Sequence, residues 1–412
     1  MDRHKMIIHK IYEKFKLAIL FVNYLYVTGQ QYLKKLPGNT KTVVFTLEDD
    51  RIFREVDGMG RYAYLILNAF ANAGYSVYLY KRVDFKIFVR LGVFGRYMYL
   101  IKNLKIIDKL PRHTENMIYA FDTAVEDTAG HTWKKLIYFN HLKPPTCAFG
   151  DMINIPYFMH PNVYKSKQYD HVRSYRNNDR KMRIFFGGNI NKKIYNFPNL
   201  QKYGQLTRLE GLKTVFQLGE HVRLKWNVQE FRQFLDQTVY SNQCILLKTD
   251  HLLKIKSKEW ISIVSQGDFF LCLSGTDLPM CHNVIESMAV GTIPIISYPD
   301  WFFPALEHMK NAILYSGKED LVKKIKDVLA MDKETIQEMR NNVIQFYDSH
   351  LSNSNFIKRI ESNENKLNTM MLHPRLICDD KELTEGHRIF DEIRDLMEKS
   401  GKTINNINIR GR

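Results

Sequence analysis

Cysteine pairs, long apolar runs and DxD motifs are all missing from this sequence of 412 residues. None of its five cysteines forms a CxxC pair; they stand at positions 147, 244, 272, 281 and 378. This pattern argues against a zinc ribbon and a disulfide scaffold, and favours free thiols in a reducing compartment. Without DxD, one arrangement of paired carboxylates that could hold a divalent ion is absent.

The N-terminal segment has too little apolar sequence for a membrane span. Its apolar run, residues 17–27, has 11 residues, whereas a spanning helix needs ~20. No small-residue cleavage site follows, which argues against a secretory signal. Residues 1–16 carry five Lys or Arg and two acids. The pattern predicts a basic amphipathic segment over residues 1–36 that lies on an anionic membrane surface. The alternative is a helix docked on the protein's own core.

Acidic residues are outnumbered by basic ones. The 60 Lys and Arg against 44 Asp and Glu give a net charge of +16. Such a surface attracts phosphates, acidic lipids and nucleic acids. The charge is spread along the chain and no RNA- or DNA-binding module is recognised, so no nucleic-acid partner is expected. The length and the hydrophobic share of 45% predict two globular domains.

The first half of the sequence alternates strand and helix patterns. A β-branched run over residues 41–47 predicts a buried parallel strand. Apolar spacing over 62–73 predicts a helix that stops at Gly74, and residues 76–80 predict the next strand. This order is a βαβ unit.

A glycine-containing loop precedes the first helix of this unit. Asp57, Gly58 and Gly60 lie where backbone amides at a helix N-terminus can approach a phosphate closely. Glycine that serves the backbone turn alone is the alternative interpretation.

Three further strands are predicted in this half, at residues 117–120, 136–139 and 154–158. Asp122 and Glu126 follow the first of them and are candidates to face a cleft. The polar stretch over residues 160–181 has no apolar periodicity and predicts a linker between two domains.

The second half opens with a candidate anion cradle. Residues 182–186 predict a strand, and Gly188 and Asn189 follow it in a Gly-Gly-Asn turn. Lys192 and Lys193 come next. Backbone amides there can position a phosphate while lysine neutralises its charge. A solvated lysine pair in a turn is the alternative.

The most informative stretch is residues 268–297. It predicts a strand, a loop of small residues, a helix closed by Gly291 and another strand. Glu286 lies near the start of that helix, at the strand ends where ligands bind in open α/β sheets. A carboxylate there can accept hydrogen bonds from both hydroxyls of a ribose. The alternative role for Glu286 is to stabilise the helix dipole.

The order of residues in this stretch resembles a known family. DFFLCLSGTDLPMCHNVIESMAVGTIPIIS is similar to the donor-binding region of GT-B glycosyltransferases, and most similar to the exostosin-like group. The segment FFGGN resembles the strand that opens their second domain. The resemblance covers residues 182–348, is architectural over 41–160, and is absent over 1–36 and 363–412.

The resemblance implies an α/β protein of the GT-B fold, with two Rossmann-like domains facing each other across a cleft. The expected segments are the basic N-terminal segment 1–36, an acceptor domain 37–165, a nucleotide-sugar domain 182–362, and a C-terminal helix and tail 363–412. The resemblance assigns the ribose to Glu286. It assigns the rest of the donor to the loop of Ser274, Gly275 and Thr276 and to the turn with Gly188 and Asn189.

The sequence departs from the family at two points. Exostosin-like members usually carry an arginine just before the apolar helix, where His282 and Asn283 stand here. Leu278 stands where many retaining enzymes have a second glutamate. The charge on the leaving phosphate is therefore expected to meet Lys192, Lys193 or a protonated His282, and the stereochemistry stays open.

These features predict a glycosyltransferase that moves a sugar from a nucleotide-sugar to a glycan or lipid-linked acceptor. Members of the fold generally work without metal, so no metal or cofactor is expected. An inverting reaction needs a base for the acceptor hydroxyl. Asp57 is the first candidate, followed by Asp122 and Glu126. The expected location is the cytoplasm, peripheral on the inner face of a membrane. The alternative is a basic membrane-associated or nucleic-acid-binding protein without catalysis.

Overall fold

The computed structural model describes most of the chain between residues 3 and 372. The described residues are 3–36, 38, 41–48, 60–81, 83–122, 131–140, 151–192, 195, 198–225, 227–249, 255–276 and 278–372.

The chain divides into two compact units, each built around one parallel sheet. The first unit contains residues 1–155 and 357–412, and the second contains 156–356. The expected α/β class is confirmed. The polar stretch 160–181, expected as a linker, contains two short helices and belongs to the second unit. Its few apolar residues, Val163 and Val172, are buried and hold it there.

Seven parallel strands form the sheet of the first unit, in the order β3-β2-β1-β4-β5-β13-β6. Their bounds are β1 Thr42–Thr46, β2 Ser76–Tyr80, β3 Leu104–Ile107, β4 Met117–Phe121, β5 Lys135–Asn140, β6 Asp151–Asn154 and β13 Leu367–Met371. The last strand enters from the C-terminal segment and pairs with both β5 and β6. The C-terminal part of the chain therefore completes the first unit.

Six parallel strands form the sheet of the second unit, in the order β12-β11-β10-β7-β9-β8. Their bounds are β7 Met182–Asn189, β8 Val222–Lys225, β9 Ser241–Thr249, β10 Gly267–Leu271, β11 Ile293–Ile296 and β12 Ile313–Leu314. Strands β10 and β11 are buried along their whole length, as expected for a parallel sheet covered on both faces.

Thirteen α-helices lie in the described residues. Their bounds are α1 Arg3–Leu33, α2 Gly60–Asn72, α3 Phe85–Arg90, α4 Gly92–Gly95, α5 Pro161–Lys165, α6 Val172–Tyr175, α7 Arg208–Phe216, α8 Val228–Gln237, α9 Ser257–Val264, α10 His282–Ala289, α11 Gly317–Ala330, α12 Lys333–Phe346 and α13 Asn353–Ser362. Gly74 and Gly291 follow α2 and α10 with φ of 86° and 74°, which confirms them as the residues that stop these helices.

Aromatic packing forms the core of the second sheet. Phe185 on β7 stacks on Phe231 of α8 with ring centroids 5.5 Å apart, and meets Phe270 of β10 edge-on at 5.6 Å. Trp260 of α9 lies 6.1 Å from Phe270. These ring contacts hold α8 and α9 against the strands. The side chains of both helices therefore have defined positions relative to the sheet.

Candidate functional site

The chain changes direction in the second sheet between two neighbouring strands. Strand β7 pairs with β10 on one side and with β9 on the other. After β7 the chain first forms β8 at the edge of the sheet and then β9 between β8 and β7, and it then adds β10, β11 and β12 on the other side of β7. Crevices outside the carboxyl ends of strands at such a point are where open α/β sheets bind ligands.

Strand β7 is longer than the sequence predicts. The expected Gly-Gly-Asn turn is part of the strand, because Gly188 pairs with Lys248 and Asn189 with Thr249 of β9. A Cβ on Gly187 would lie 2.9 Å from the Phe185 ring and 3.1 Å from the Trp260 ring. The first glycine is thus required by core packing, and the strand carries Asn189 out to its carboxyl end.

Glu286 lies inside the second unit with no exposed surface. Its Oε1 accepts a hydrogen bond from the backbone N–H of His160 at 2.8 Å, and its Oε2 accepts one from Trp260 Nε1 at 2.6 Å. The His160 and His282 rings meet at 5.0 Å. The carboxylate therefore connects α10 to α9 and to the residue that precedes α5.

A buried arginine that the sequence analysis did not single out stands at the same edge. Arg208, the first residue of α7, is 3% exposed. Its Nη1 donates to the backbone oxygen of Asn189 at 3.1 Å, and its Nη2 donates to Cys281 Sγ at 3.3 Å. Its guanidinium lies 3.9 Å above the Tyr195 ring. Its Nε has no hydrogen-bond partner.

The sequence contains a signal for the position of this arginine. Thr207 and Glu210 form a capping box, in which each side chain accepts from the other's backbone N–H. The Thr207 N–H lowers the pKa of Glu210, so this acid stays ionised at the helix N-terminus. The TRLE pattern thus places Arg208 in the first turn of a helix. Its role becomes visible only once α7 packs on the strands.

The small-residue loop after β10 folds tightly. Ser274 is 1% exposed and its hydroxyl has no hydrogen-bond partner. A Cβ on Gly275 would come within 2.6 Å of the Leu278 backbone oxygen, so only glycine fits. Thr276 is half-buried. The loop leads to Cys281, which precedes α10 without a side-chain capping bond.

Other predicted donor residues lie at the same edge. Asn283 is buried and its Nδ2 donates to the Gly187 backbone oxygen at 3.4 Å. His282 is the first residue of α10. Lys192 is exposed, and Lys193 lies outside the described residues. The structure thus brings Asn189, Asn283 and Ser274 to one end of the sheet, together with Arg208.

Candidate residues of the first unit are only partly described. Gly60 is the first residue of α2. Asp122 follows β4, is fully buried, and accepts from the Glu48 N–H at 2.8 Å. Asp57, Gly58 and Glu126 lie outside the described residues.

The described cysteines are buried, and the described acids and histidines form no metal-binding cluster with them. Cys244, Cys272 and Cys281 are free and buried. Burial raises the pKa of Cys244 and Cys272, so both thiols stay protonated at neutral pH. Within the described ranges, no group of three or more His, Cys, Asp or Glu could hold a metal ion.

Comparison with known proteins gives distant structural likeness only. No protein-family model and no curated protein sequence matches this chain. The N-terminal domain of trehalose-6-phosphate phosphatase from Candida albicans is 10% identical, with 79% of this chain and 97% of that chain covered and a TM-score of 0.42.

Two further solved structures show a similar degree of likeness. Alr3699/HepE from Anabaena, in complex with UDP-glucose, is 10% identical, with 77% of this chain and 98% of that chain covered and a TM-score of 0.39. The lipopolysaccharide outer core galactosyltransferase WaaB is 9% identical, with 78% and 98% covered and a TM-score of 0.38.

The contacts of Glu286 generate the first prediction. Glu286→Gln should lower the free energy of unfolding by about 1–3 kcal/mol, because the amide NH₂ cannot accept from either Trp260 or His160. Urea denaturation measures this change. Glu338→Gln, at an exposed position of α12, is the matched control and should have little effect. Equal stability of the two variants would contradict the role given to this carboxylate.

Proposed function

We propose that this protein is a glycosyltransferase whose nucleotide-sugar donor binds at the carboxyl ends of β7 and β10. The observation that carries the proposal is Arg208. A guanidinium that is almost wholly buried, with one N–H unpartnered, lies at the carboxyl end of β7, where it donates to the Asn189 backbone oxygen. The unpartnered Ser274 hydroxyl lies at the same edge. A diphosphate would satisfy both groups, since Arg pairs with phosphate through several N–H donors at once.

Two helices begin at this edge of the sheet, and their N-termini favour the binding of an anionic ligand. α7 starts with Arg208, and α10 starts after Cys281, to whose sulfur Arg208 donates. Backbone amides at helix N-termini carry partial positive charge and favour phosphate. Lys192 is exposed close to the end of β7 and can supply a further cation.

Glu286 is the proposed ligand of the donor ribose, as in the exostosin-like group. Its two oxygens are oriented by the bonds from His160 and Trp260, and a carboxylate oxygen can accept more than one hydrogen bond. The ribose hydroxyls are the proposed further donors to this carboxylate. Because Glu286 has no exposed surface, a side chain above it has to move when the donor binds.

The proposed reaction breaks the bond between the sugar and the nucleoside diphosphate. Negative charge develops on the leaving diphosphate, and pre-positioned cations and amides stabilise it. Arg208, Lys192, Lys193 and His282 are the proposed cations, without a metal ion. The acceptor is a glycan or a lipid-linked glycan.

The donor site is tested by removing the buried cation. In a calorimetric panel of nucleotide-sugars, at least one should bind the wild-type protein. Arg208→Gln should weaken that binding by about 10- to 100-fold, because a charge-assisted bond to the diphosphate is lost.

The matched control is Arg232→Gln. Arg232 is exposed and pairs with Glu259 on the surface of the same unit, so its loss should leave donor affinity unchanged. If Arg208→Gln binds the donor as tightly as this control does, the donor site lies elsewhere. Binding of a donor without any sugar transfer would favour a binding protein that lacks catalysis.

The proposed general base belongs to the first unit. Asp57 comes first, in the glycine loop before α2, followed by Asp122 and Glu126. Asp122 is held at the carboxyl end of β4 by the Glu48 N–H, beside the end of β1. Its Oδ1 is therefore oriented by the backbone, as a group that receives a proton should be.

Replacing the proposed base Asp57 by asparagine, which has nearly the same shape, tests its role. Asp57→Asn should lower turnover by at least about 100-fold and leave donor affinity intact, because the amide cannot take the acceptor proton. Asp108→Asn, exposed in the same unit, is the control. Unchanged turnover in Asp57→Asn would move the base to Asp122 or Glu126, which the same substitution then tests.

Helix α1 is the proposed contact with an anionic membrane. It packs on α3 and β3 through one face: Phe21 meets Phe85 edge-on at 5.1 Å, and Gln31 accepts from the Ile106 N–H at 3.2 Å. Tyr24 lies 5.5 Å from Phe88. No helix in the described part of the chain is long and apolar enough to cross a bilayer.

The opposite face of α1 is apolar and exposed. Its large side chains are each more than 60% exposed and follow helical spacing; they are Ile11, Phe15, Val22, Tyr26 and Leu33. Lys14 and Lys16 are exposed on the two flanks of this face, and Lys10 is exposed on the preceding turns of the same helix. An apolar stripe bordered by lysines fits the boundary between acyl chains and anionic headgroups. We therefore place the acceptor reaction at such a surface.

Vesicle binding tests this placement with two variants of equal charge. The full chain should bind vesicles rich in phosphatidylglycerol, and bind phosphatidylcholine vesicles more weakly. Phe15→Glu with Val22→Glu should lower binding by at least about 10-fold, because both apolar side chains leave the membrane. Asn23→Glu with Gln30→Glu adds the same charge beside the stripe and should retain more binding.

Dimer formation through the apolar face of α1 is the alternative to membrane binding, and sedimentation velocity tests for it. If the wild-type chain forms dimers that the Phe15 and Val22 variant dissociates, and both variants bind vesicles equally, a second copy covers the stripe and the membrane proposal is wrong.

A further inference from the structure

A cavity of about 690 Å³ lies at the amino ends of the second sheet's strands, away from the candidate donor site. The residues just before and within the starts of β7, β9 and β10 line it, together with the end of α8 and one face of α12. Five Lys or Arg residues line this cavity against three Asp residues. Its surroundings are therefore positively charged overall.

Arg183 is the most buried of these cations. It is the second residue of β7 and is 7% exposed. Its Nε donates to Asn242 Oδ1 at 3.0 Å, and its guanidinium lies 5.7 Å from the centre of the Tyr240 ring. Its Nη1 is buried and has no hydrogen-bond partner. A buried guanidinium N–H without a hydrogen-bond partner lowers the stability of the folded protein, unless a ligand or a water molecule accepts from it.

Two more arginines line the cavity with unused donors. Arg180 braces the strand starts, donating to the backbone oxygens of Gly267 at 2.9 Å and Val290 at 3.0 Å. Arg340, on α12, donates to the Arg176 backbone oxygen at 3.2 Å. The Nε atoms of Arg180 and Arg340 are both buried and unpartnered. Burial lowers the pKa of Arg180, and the positive charge of Arg340 lowers it further.

The acids of the cavity balance these arginines only in part, since three Asp residues face five Lys or Arg and the charge of Asp268 acts on both Arg180 and Arg340. Asp268 is buried and accepts a hydrogen bond from the Tyr240 hydroxyl at 2.7 Å. Within the described part of the chain, Arg180, Arg183 and Arg340 form no ion pair. The result is a concave, positively charged site lined by three guanidinium groups, each of which has one buried nitrogen without a hydrogen-bond partner.

We propose that this cavity binds a small anion that carries a phosphoryl group, at a site separate from the donor site. Phosphate oxygens can accept from several arginines at once, and the planar guanidinium suits them better than an ammonium group does. The volume leaves room for a small organic part attached to the phosphoryl group. The ligand is thus either free phosphate or a phosphate monoester.

Thermal unfolding of the full chain tests the proposal, with inorganic phosphate and glycerol 3-phosphate as probes at constant ionic strength in KCl. A ligand that binds only the native state raises the midpoint in a saturable way. We expect such a rise for the wild-type chain with at least one probe. A stronger effect of glycerol 3-phosphate would identify a monoester site, and a stronger effect of inorganic phosphate a free-phosphate site.

Two variants distinguish this cavity from the donor site. Arg340→Gln should raise the probe concentration needed for half of the shift by at least 10-fold, and Arg183→Gln should do the same. Arg208→Gln removes the donor-site cation and should retain the wild-type shift, as should the surface control Arg232→Gln. The proposal is overturned if no saturable shift occurs, or if Arg208→Gln abolishes the shift while Arg340→Gln keeps it. Absence of a shift leaves the donor proposal to its own test, whereas loss of the shift in Arg208→Gln would assign phosphoryl binding to the donor site instead of this cavity.

Discussion

A buried carboxylate holds together the elements around the carboxyl edge of the second sheet. Glu286 has no contact with solvent, so the hydrogen bonds from Trp260 and His160 are what make its burial tolerable. These bonds connect α10 to α9 and to the start of α5. Arg208 adds a second connection, from α7 to Cys281 before α10 and to Asn189 at the end of β7. The shape of the proposed donor site follows from these two buried charges.

In the parallel sheet of the second unit, the amino ends and the carboxyl ends of the strands lie at opposite edges and contact different residues. Near its start, strand β7 carries Arg183 of the arginine cavity, and it ends beside the proposed donor site at Asn189. Arg183 and Asn189 are six positions apart along the strand, or roughly 20 Å at the usual rise. The strand interior between them is packed with Phe185 and Phe186, which are fully or nearly fully buried. The two proposed anion sites thus lie at opposite ends of the sheet, with packed core side chains between them.

Local patterns in the sequence predict much of the fold and less of the site. Strand and helix alternation and the helix stops at Gly74 and Gly291 depend on neighbouring residues and are confirmed. The strand predicted at residues 154–158 is wrong in position, since β6 spans Asp151–Asn154. The polar stretch 160–181 belongs to the second unit because a few buried side chains are sufficient to hold it. Arg208 was missed because its partners Asn189 and Cys281 lie 19 and 73 residues away. The arginine cavity was missed for the same reason, since it is assembled from strand starts and a distant helix.

The central claim is that a nucleotide-sugar binds where β7 and β10 end. Hydrogen–deuterium exchange of the full chain, with and without a nucleotide-sugar that raises its thermal stability, tests this most directly. The account predicts that protection increases in peptides that contain Asn189, Arg208 and residues 274–286, and not in those that contain Arg340. Protection confined to other parts of the chain, with these three segments unchanged, would contradict it.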